Sequence, residues 1–198
     1  MEKVDARGMK CPAPVIETRK ALGAIDSGEI EVLVDSEASR DNVMKMAGSQ
    51  GCDVRYEELQ GGYAVTITKQ SMVSTECESI FASGENKPLV FLIKSSYFGA
   101  GDDRLGKILM RSFLFSLTEL DREIKAVIFM NSGIFLTTPG SEVLDILKKL
   151  QERGVEILSC GTCLDYYQKK EEIQVGQVTN MYSSVDYITM AGVKTIII

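Results

Sequence analysis

Apolar and polar positions in the first third of the chain follow a helical period and then a strand period. Val15, Leu22 and Ile25 stand at helix-like intervals with charged residues between them, which predicts a helix beginning at Pro12. Ile30 to Val34 form a short β-branched run typical of a buried strand.

The next stretch predicts a second helix and a hairpin. Ser39 is expected to cap a helix that ends at Gly51. Val54 to Leu59 and Tyr63 to Thr68 flank Gln60-Gly61-Gly62, and in the second run Tyr63, Val65 and Ile67 alternate with Ala64, Thr66 and Thr68. This pattern predicts a hairpin with one buried face, and the order β-α-β-α-β-β for residues 1 to 69.

After Pro88 the chain alternates longer strands and helices. Leu89 to Ile93 is wholly apolar, as expected of a parallel strand covered on both faces. The further predicted elements are a helix at Leu105 to Leu120, a strand at Ala126 to Met130, a helix at Ser141 to Arg153, a strand at Val155 to Leu158, and a strand, helix and strand near Val175 to Val178, Val185 to Met190 and Thr195 to Ile198. This alternation predicts a doubly wound α/β domain whose reactive groups lie at the carboxyl ends of its strands.

Residues 70 to 87 lose this periodicity and collect Ser, Thr, Glu and Gly. They are expected to form a linker between domains at 1 to 69 and 88 to 198. Cys77 falls inside the linker and is interpreted as a bystander thiol.

The charge and apolar content of the chain argue against two classes of protein, nucleic-acid-binding proteins and membrane-spanning proteins. The 198 residues carry a net charge of −6, which argues against general nucleic-acid binding. No run is long and apolar enough to span a membrane, and Glu2 and Asp5 replace a basic, apolar leader. We therefore expect a cytoplasmic protein.

The chain has five cysteines and no histidine. An odd number of cysteines without an export signal favours reactive thiols over a disulfide framework. The absence of histidine excludes Ser-His-Asp and Cys-His catalysis and every His-containing metal site. We expect neither a metal nor another cofactor.

Cys11 stands where the first helix is expected to begin. Pro12 suits the first helical position, which makes Cys11 the cap residue. The N–H groups of Ala13 and Val15 would then be the first available to an anion, and Lys10 and Arg7 add positive charge, which favours the thiolate. The alternative is that Cys11 is a buried spacer in a Pro-capped helix.

The segment Asp-x-x-Gly-x-x-Cys-Pro-x-Pro, with Asp5, Gly8, Cys11, Pro12 and Pro14, resembles the start of the TusA/SirA-like sulfur carriers. The resemblance covers about residues 1 to 69. It implies a two-layer βαβαββ sandwich and a persulfide, received from a cysteine desulfurase, on Cys11.

A second sulfur pair follows the third predicted strand of the C-terminal half. Cys160-Gly161-Thr162-Cys163 places a Cys-x-x-Cys at a strand's carboxyl end, where Cys163 could resolve a sulfur carried by Cys160. The neighbouring Asp165 makes the surroundings polar. A half zinc site and a buried structural pair are the alternatives.

Residues 88 to 198 resemble DsrE-like domains, since Val155-Glu156-Ile157-Leu158-Ser159-Cys160 is similar to the strand that ends in that family's sulfur-carrying cysteine. The second cysteine departs from the single-cysteine carriers. The fusion of the two domains resembles the YedF-type selenium metabolism proteins, which implies a link to selenium alongside selenophosphate synthesis.

Two further segments are expected at the same end of the C-terminal sheet. In Gly99-Ala100-Gly101-Asp102-Asp103, an aspartate is expected to cap the following helix while the glycines pass close to the Cys160 loop. Asn131-Ser132-Gly133 is expected to line the Cys160 pocket.

The sequence thus favours a two-domain chalcogen carrier, a sulfurtransferase-like protein whose status as an enzyme stays open. Its expected partners are a cysteine desulfurase or other chalcogen donor, selenophosphate synthetase, and further copies of the chain through the C-terminal domain. A thiol-disulfide oxidoreductase using Cys160 and Cys163, or a non-catalytic regulatory adaptor, are the alternatives.

Overall fold

The computed structural model describes residues 2–70 and 87–198. The chain divides into two units, Met1–Ser83 and Gly84–Ile198. The predicted linker lies outside the described residues except for Gln70 and Lys87, and Cys77 lies outside them too.

The first unit contains a four-stranded mixed sheet. Its elements are β1 (Glu2–Asp5), α1 (Ala13–Ala24), β2 (Gly28–Val34), α2 (Glu37–Ser49), β3 (Asp53–Leu59) and β4 (Gly62–Lys69). The strand order is β1-β2-β4-β3, with β1 parallel to β2 and the other neighbours antiparallel. The predicted β-α-β-α-β-β order is confirmed.

One core holds the two helices of this unit against the sheet. Ile30, Val32 and Val34 of β2 are fully buried because alternate side chains of a strand share one face. Leu22 of α1 and Val43 of α2 join the same cluster. The arrangement is therefore a two-layer α/β sandwich.

Both helices of the first unit begin at other residues than predicted. The cap of α2 is Ser36, whose hydroxyl accepts a hydrogen bond from the Ser39 N–H at 3.2 Å, so Ser39 lies inside the helix. The cap of α1 is Pro12 and not Cys11, because the carbonyl of Pro12 accepts the first helical hydrogen bond, from the Ile16 N–H.

The second unit contains a five-stranded, all-parallel sheet. Its elements are β5 (Leu89–Ile93), α3 (Asp103–Thr118), β6 (Ile124–Phe129), a 3-10 helix (Asn131–Thr137), α4 (Leu144–Glu152), β7 (Glu156–Cys160), α5 (Gly161–Tyr166), a short 3-10 helix (Lys170–Glu172), β8 (Gln177–Thr179), α6 (Met181–Thr189) and β9 (Lys194–Ile197). The strand order is β8-β7-β6-β5-β9.

Apolar side chains cover both faces of this sheet. Phe91 and Ile93 of β5 belong to the core cluster that contains α3 and α4, whereas Val90 and Leu92 belong to a second cluster. Tyr187 of α6 packs against that second cluster. A strand buried on both faces explains why residues 89 to 93 are all apolar.

The elements that follow β5 and β6 differ slightly from their predicted bounds. Helix α3 begins at Asp103 because the Asp102 carboxylate accepts a hydrogen bond from the Leu105 N–H at 2.8 Å. Helix α4 begins at Leu144, three residues after the predicted Ser141. Among the described residues, no helix combines the length and apolar character needed to cross a membrane.

Candidate functional site

Cys11 lies exposed in the segment that joins β1 to α1. The Ala13 N–H donates to the Lys10 carbonyl at 2.9 Å, which closes a turn around Cys11 and Pro12. The peptide bond between these two residues is cis. The exposed cysteine therefore stands immediately before the Pro12 cap of the helix, and the buried-spacer interpretation is wrong.

The backbone donors expected near this sulfur are already used. The Ala13 N–H bonds to Lys10, and the Val15 N–H donates to the Pro12 carbonyl at 3.1 Å. The prediction that these two groups are available to an anion is therefore wrong, because the turn and the first helical bonds occupy them. Pro14 is buried, and its carbonyl accepts a hydrogen bond from the Thr18 hydroxyl at 2.7 Å.

Asp5 and Arg7 form an ion pair at the start of the segment between β1 and α1, which we call the Cys11 loop. The Arg7 side chain donates to both Asp5 oxygens, at 2.8 and 2.6 Å. The hydrogen bonds from Arg7 lower the pKa of Asp5 to about 2. The charge of Arg7 is thus paired with Asp5, which leaves Lys10 as the predicted cation next to Cys11 in sequence.

Gly8 forms the second anchor of the loop. Its N–H donates to the Asp35 carboxylate at 2.6 Å, and its φ of +74° lies in the left-handed region that favours glycine. Sequence reasoning missed Asp35. The signal was available in principle, since Asp35 directly follows β2, whose parallel neighbour β1 ends at the Cys11 loop.

The second sulfur pair lies at the carboxyl end of β7, as predicted. Cys160 is the last residue of that strand and the N-terminal cap of α5, and it is 1% exposed. Cys163 lies in the first turn of α5 and is half-buried. The two sulfurs therefore differ in access to solvent.

Two residues outside the Cys-x-x-Cys motif hold Cys163. The Asn131 N–H donates to the Cys163 sulfur at 3.1 Å, and the Tyr167 hydroxyl donates to the Asn131 side-chain oxygen at 2.9 Å. Asn131 therefore lies at the predicted end of the sheet and contacts the second cysteine of the motif, while a pocket at Cys160 stays a prediction. Tyr167 was missed, although its position four residues after Cys163 puts both on one helical face.

Burial and a hydrogen bond with Cys160 raise the pKa of Cys163, while the Asn131 N–H lowers it. The balance favours the neutral thiol. Cys163 must therefore lose its proton before its sulfur can act as a nucleophile.

The predicted supporting residues of this site separate into two kinds. A Cβ on Gly161 would lie 3.1 Å from the Val178 side chain, so glycine lets α5 approach β8 closely. Asp165 is exposed and pairs with Lys170 at 3.2 Å. Asp165 therefore bonds outward along the surface.

The glycine-rich loop before α3 differs from its prediction. A Cβ on Gly99 or Gly101 would meet nothing within 4 Å, so these glycines do not serve a close approach to the Cys160 loop. Their φ values of +81° and +144° explain glycine instead. The prediction that an aspartate caps α3 is confirmed at Asp102.

The first unit thus has the form of a small carrier domain: a two-layer sandwich that presents an exposed cysteine before its first helix. Residues 2–69 match the family described as "Sulfurtransferase TusA". A protein of Methanocaldococcus jannaschii named "Putative sulfur carrier protein" is 35% identical over 71 residues, which cover 35% of this chain and 95% of that protein. Through this unit the chain belongs to the TusA family, whose named relatives support a sulfur-carrier role.

Two solved structures are also similar to this chain. The SirA-like protein of Desulfitobacterium hafniense is 42% identical, covers 34% of this chain and 96% of its own, and gives a TM-score of 0.34. The ychN protein of E. coli is 14% identical, covers 57% of this chain and 99% of its own, and gives a TM-score of 0.45.

Proposed function

We propose that this protein is a chalcogen carrier in which Cys11 accepts a sulfur or selenium atom as a persulfide or selenosulfide. The observation that carries the proposal is the exposed Cys11 just before the N-terminus of α1, in a unit that belongs to the TusA family. Exposure matters because the passenger atom must be reached by a donor and then by an acceptor.

The loading step balances without an added oxidant or reductant. The Cys11 thiolate attacks the outer sulfur of a persulfide on the donor, a new S–S bond forms on Cys11, and the donor's S–S bond breaks. The donor cysteine leaves as a thiolate and takes up the proton that Cys11 released. We propose a cysteine desulfurase as this donor.

The supporting residues of the first unit would hold the loop through which Cys11 is presented. Asp5 pairs with Arg7, and Gly8 bonds to Asp35. Lys10 is exposed beside the cysteine and would attract an anionic persulfide. Pro12 caps α1.

We further propose that the second unit is a DsrE-like domain in which Cys160 receives or donates the atom and Cys163 resolves it. In resolution, the Cys163 thiolate attacks the inner sulfur of a Cys160 persulfide and displaces the outer sulfur as hydrosulfide. The outer sulfur is thereby reduced, and the two cysteines are oxidised to a disulfide that a thiol reductant must reopen. Because Cys160 is 1% exposed, loading it requires a local opening of α5.

The two-unit combination is consistent with a YedF-type protein of selenium metabolism, with selenophosphate synthetase as a further partner and self-association through the second unit. The proposed setting is cytoplasmic.

The test follows labelled sulfur through the full chain. The protein is incubated with a cysteine desulfurase and 35S-cysteine, and peptides are mapped by mass spectrometry. Label is expected on Cys11, lost in Cys11→Ser and retained in the matched Cys52→Ser variant. An unlabelled Cys11 overturns the carrier proposal.

The second unit and the choice of element are tested in separate arms. Cys163→Ser is expected to trap label on Cys160, and its absence there overturns the relay while leaving loading of Cys11 intact. Replacing cysteine by selenocysteine as substrate measures the preference for selenium. Equal or slower transfer of selenium counts against a dedicated selenium role.

The hydrogen bond between Cys160 and Cys163 also supports a second candidate, a thiol-disulfide oxidoreductase. This function requires a reversible Cys160–Cys163 couple in a redox titration and activity that survives Cys11→Ser. Loss of activity in Cys11→Ser would exclude it.

A further inference from the structure

A cavity of about 310 Å³ lies in the second unit beside α3 and the 3-10 helix Asn131–Thr137. Neither Cys160 nor Cys163 lines it. Its wall includes Phe135, whose ring lies 4.8 Å from that of Tyr167, measured between centres. Phe135 therefore connects the wall of the cavity to Tyr167, whose hydroxyl donates to the Asn131 side chain beside Cys163.

The charged groups of this cavity are mostly positive. Lys107, Arg111 and Lys169 line it, against a single carboxylate, Glu142. Lys169 is paired with Glu172 at 2.7 Å. No carboxylate of the described residues forms an ion pair with Lys107 or Arg111, in a chain whose net charge is −6. These two cations are therefore available to a bound anion.

The remaining wall combines apolar and aromatic side chains with the hydroxyl residues Ser96, Thr138 and Ser141. Met110 and Val143 are 1% and 3% exposed, and Phe135 and Tyr97 add two rings. The Lys107 ammonium lies 5.9 Å from the centre of the Tyr97 ring, which restrains it over an aromatic surface. Apolar walls with a few convergent polar groups are typical of small-molecule sites.

We propose that this cavity binds a small organic anion: one carboxylate or phosphate group joined to a compact apolar or aromatic body. Arg111 and Lys107 take the anionic group, because a guanidinium offers two parallel N–H donors to its oxygens. Phe135, Met110 and Val143 take the body. The site is distinct from the sulfur chemistry and does not depend on it.

The proposal is tested by calorimetry on the full chain with defined probes. Phenyl phosphate and benzoate are compared with each other, with inorganic phosphate and with neutral benzyl alcohol. We expect saturable binding of one or both aromatic anions, about tenfold or more tighter than either fragment control. The stronger of the two identifies the anionic group.

The site is located with two matched variants of α3. Arg111→Met is expected to weaken binding of the preferred probe by about tenfold or more, whereas Arg104→Met, an exposed arginine outside the cavity, leaves it unchanged. Lys107→Met repeats the test if Arg111→Met fails to fold.

Three outcomes overturn the proposal. These are no saturable binding of either aromatic anion, equal binding of benzyl alcohol or inorganic phosphate, and equal weakening by Arg104→Met. The last would assign the binding to general surface charge.

Discussion

The backbone N–H of Asn131 donates a hydrogen bond to the sulfur of Cys163 at 3.1 Å, across 32 positions of sequence. Asn131 has a φ of +49°, a left-handed conformation uncommon outside glycine. The Tyr167 hydroxyl holds its side chain at 2.9 Å. This chain of contacts links the segments that follow β6 and β7 and sets the environment of the Cys163 thiol.

Removing the Tyr167 hydroxyl should make Cys163 less reactive. In Tyr167→Phe the Asn131 side chain loses its donor, so the N–H that stabilises the Cys163 thiolate is less well held. We expect alkylation of Cys163 at fixed pH to slow by about threefold to tenfold, the equivalent of one net hydrogen bond. Peptide mapping after timed alkylation measures it.

The control is Tyr166→Phe, the same change one residue earlier on a side chain that is 80% exposed. Its rate should equal that of the unmodified protein. Equal rates for all three proteins would show that Tyr167 does not position Asn131.

The thiols of Cys11, Cys163 and Cys160 should react with an alkylating reagent in the order of their exposure to solvent. Cys11 is exposed, Cys163 half-buried and Cys160 1% exposed, so a bulky maleimide should label them in that order. Cys160 should react at least about tenfold more slowly than Cys163, since it requires local opening. In urea the difference should vanish, and labelling of Cys160 as fast as Cys163 in the folded chain would contradict its burial.

Gly8→Ala should destabilise the first unit. The φ of +74° is unfavourable for alanine, which should lower the opening free energy by about 1–2 kcal/mol. Amide hydrogen exchange at Val32, which is fully buried in β2, reports that energy in the full chain.

Gly23→Ala is the matched control for Gly8→Ala, because Gly23 lies inside α1 and a Cβ there would meet nothing within 4 Å. Here alanine should stabilise the unit by about 0.5–1 kcal/mol. Effects of the same sign at both positions would contradict the role assigned to the Gly8 conformation.

The ion pair between Asp5 and Arg7 should stabilise the Cys11 loop only while the Asp5 carboxylate is ionised. Its folded pKa of about 2 is depressed below the ordinary value, about 3.9, so the stabilisation is present above about pH 4 and is lost as pH falls through about 2. A carboxyl-carbon NMR titration of Asp5 should show this midpoint.

Arg7→Gln should move the Asp5 midpoint toward about 3.9. Arg55→Gln, which removes an exposed arginine paired with Glu29, should leave it near 2. A midpoint near 4 in the unmodified protein would contradict the bonded pair.

Local pattern gave most elements of both units but few of the contacts around the sulfurs. The sequence predicted three features that depend on residues close to one another along the chain. These are the strand at Tyr63 to Thr68, the buried strand at 89 to 93 and the aspartate cap of α3. The prediction that the Ala13 and Val15 N–H groups are available to an anion was wrong, because these groups donate to the carbonyls of Lys10 and Pro12.

Patterns among neighbouring residues predicted the order of strands and helices, the motif around Cys11 and the position of Cys160 at a strand end. The folded structure was needed to find the hydrogen bond of Gly8 with Asp35, 27 positions away, and that of Asn131 with Cys163, 32 positions away. Periodicity and turn chemistry act over a few residues, whereas these contacts form because parallel strands bring distant chain segments to one edge of a sheet.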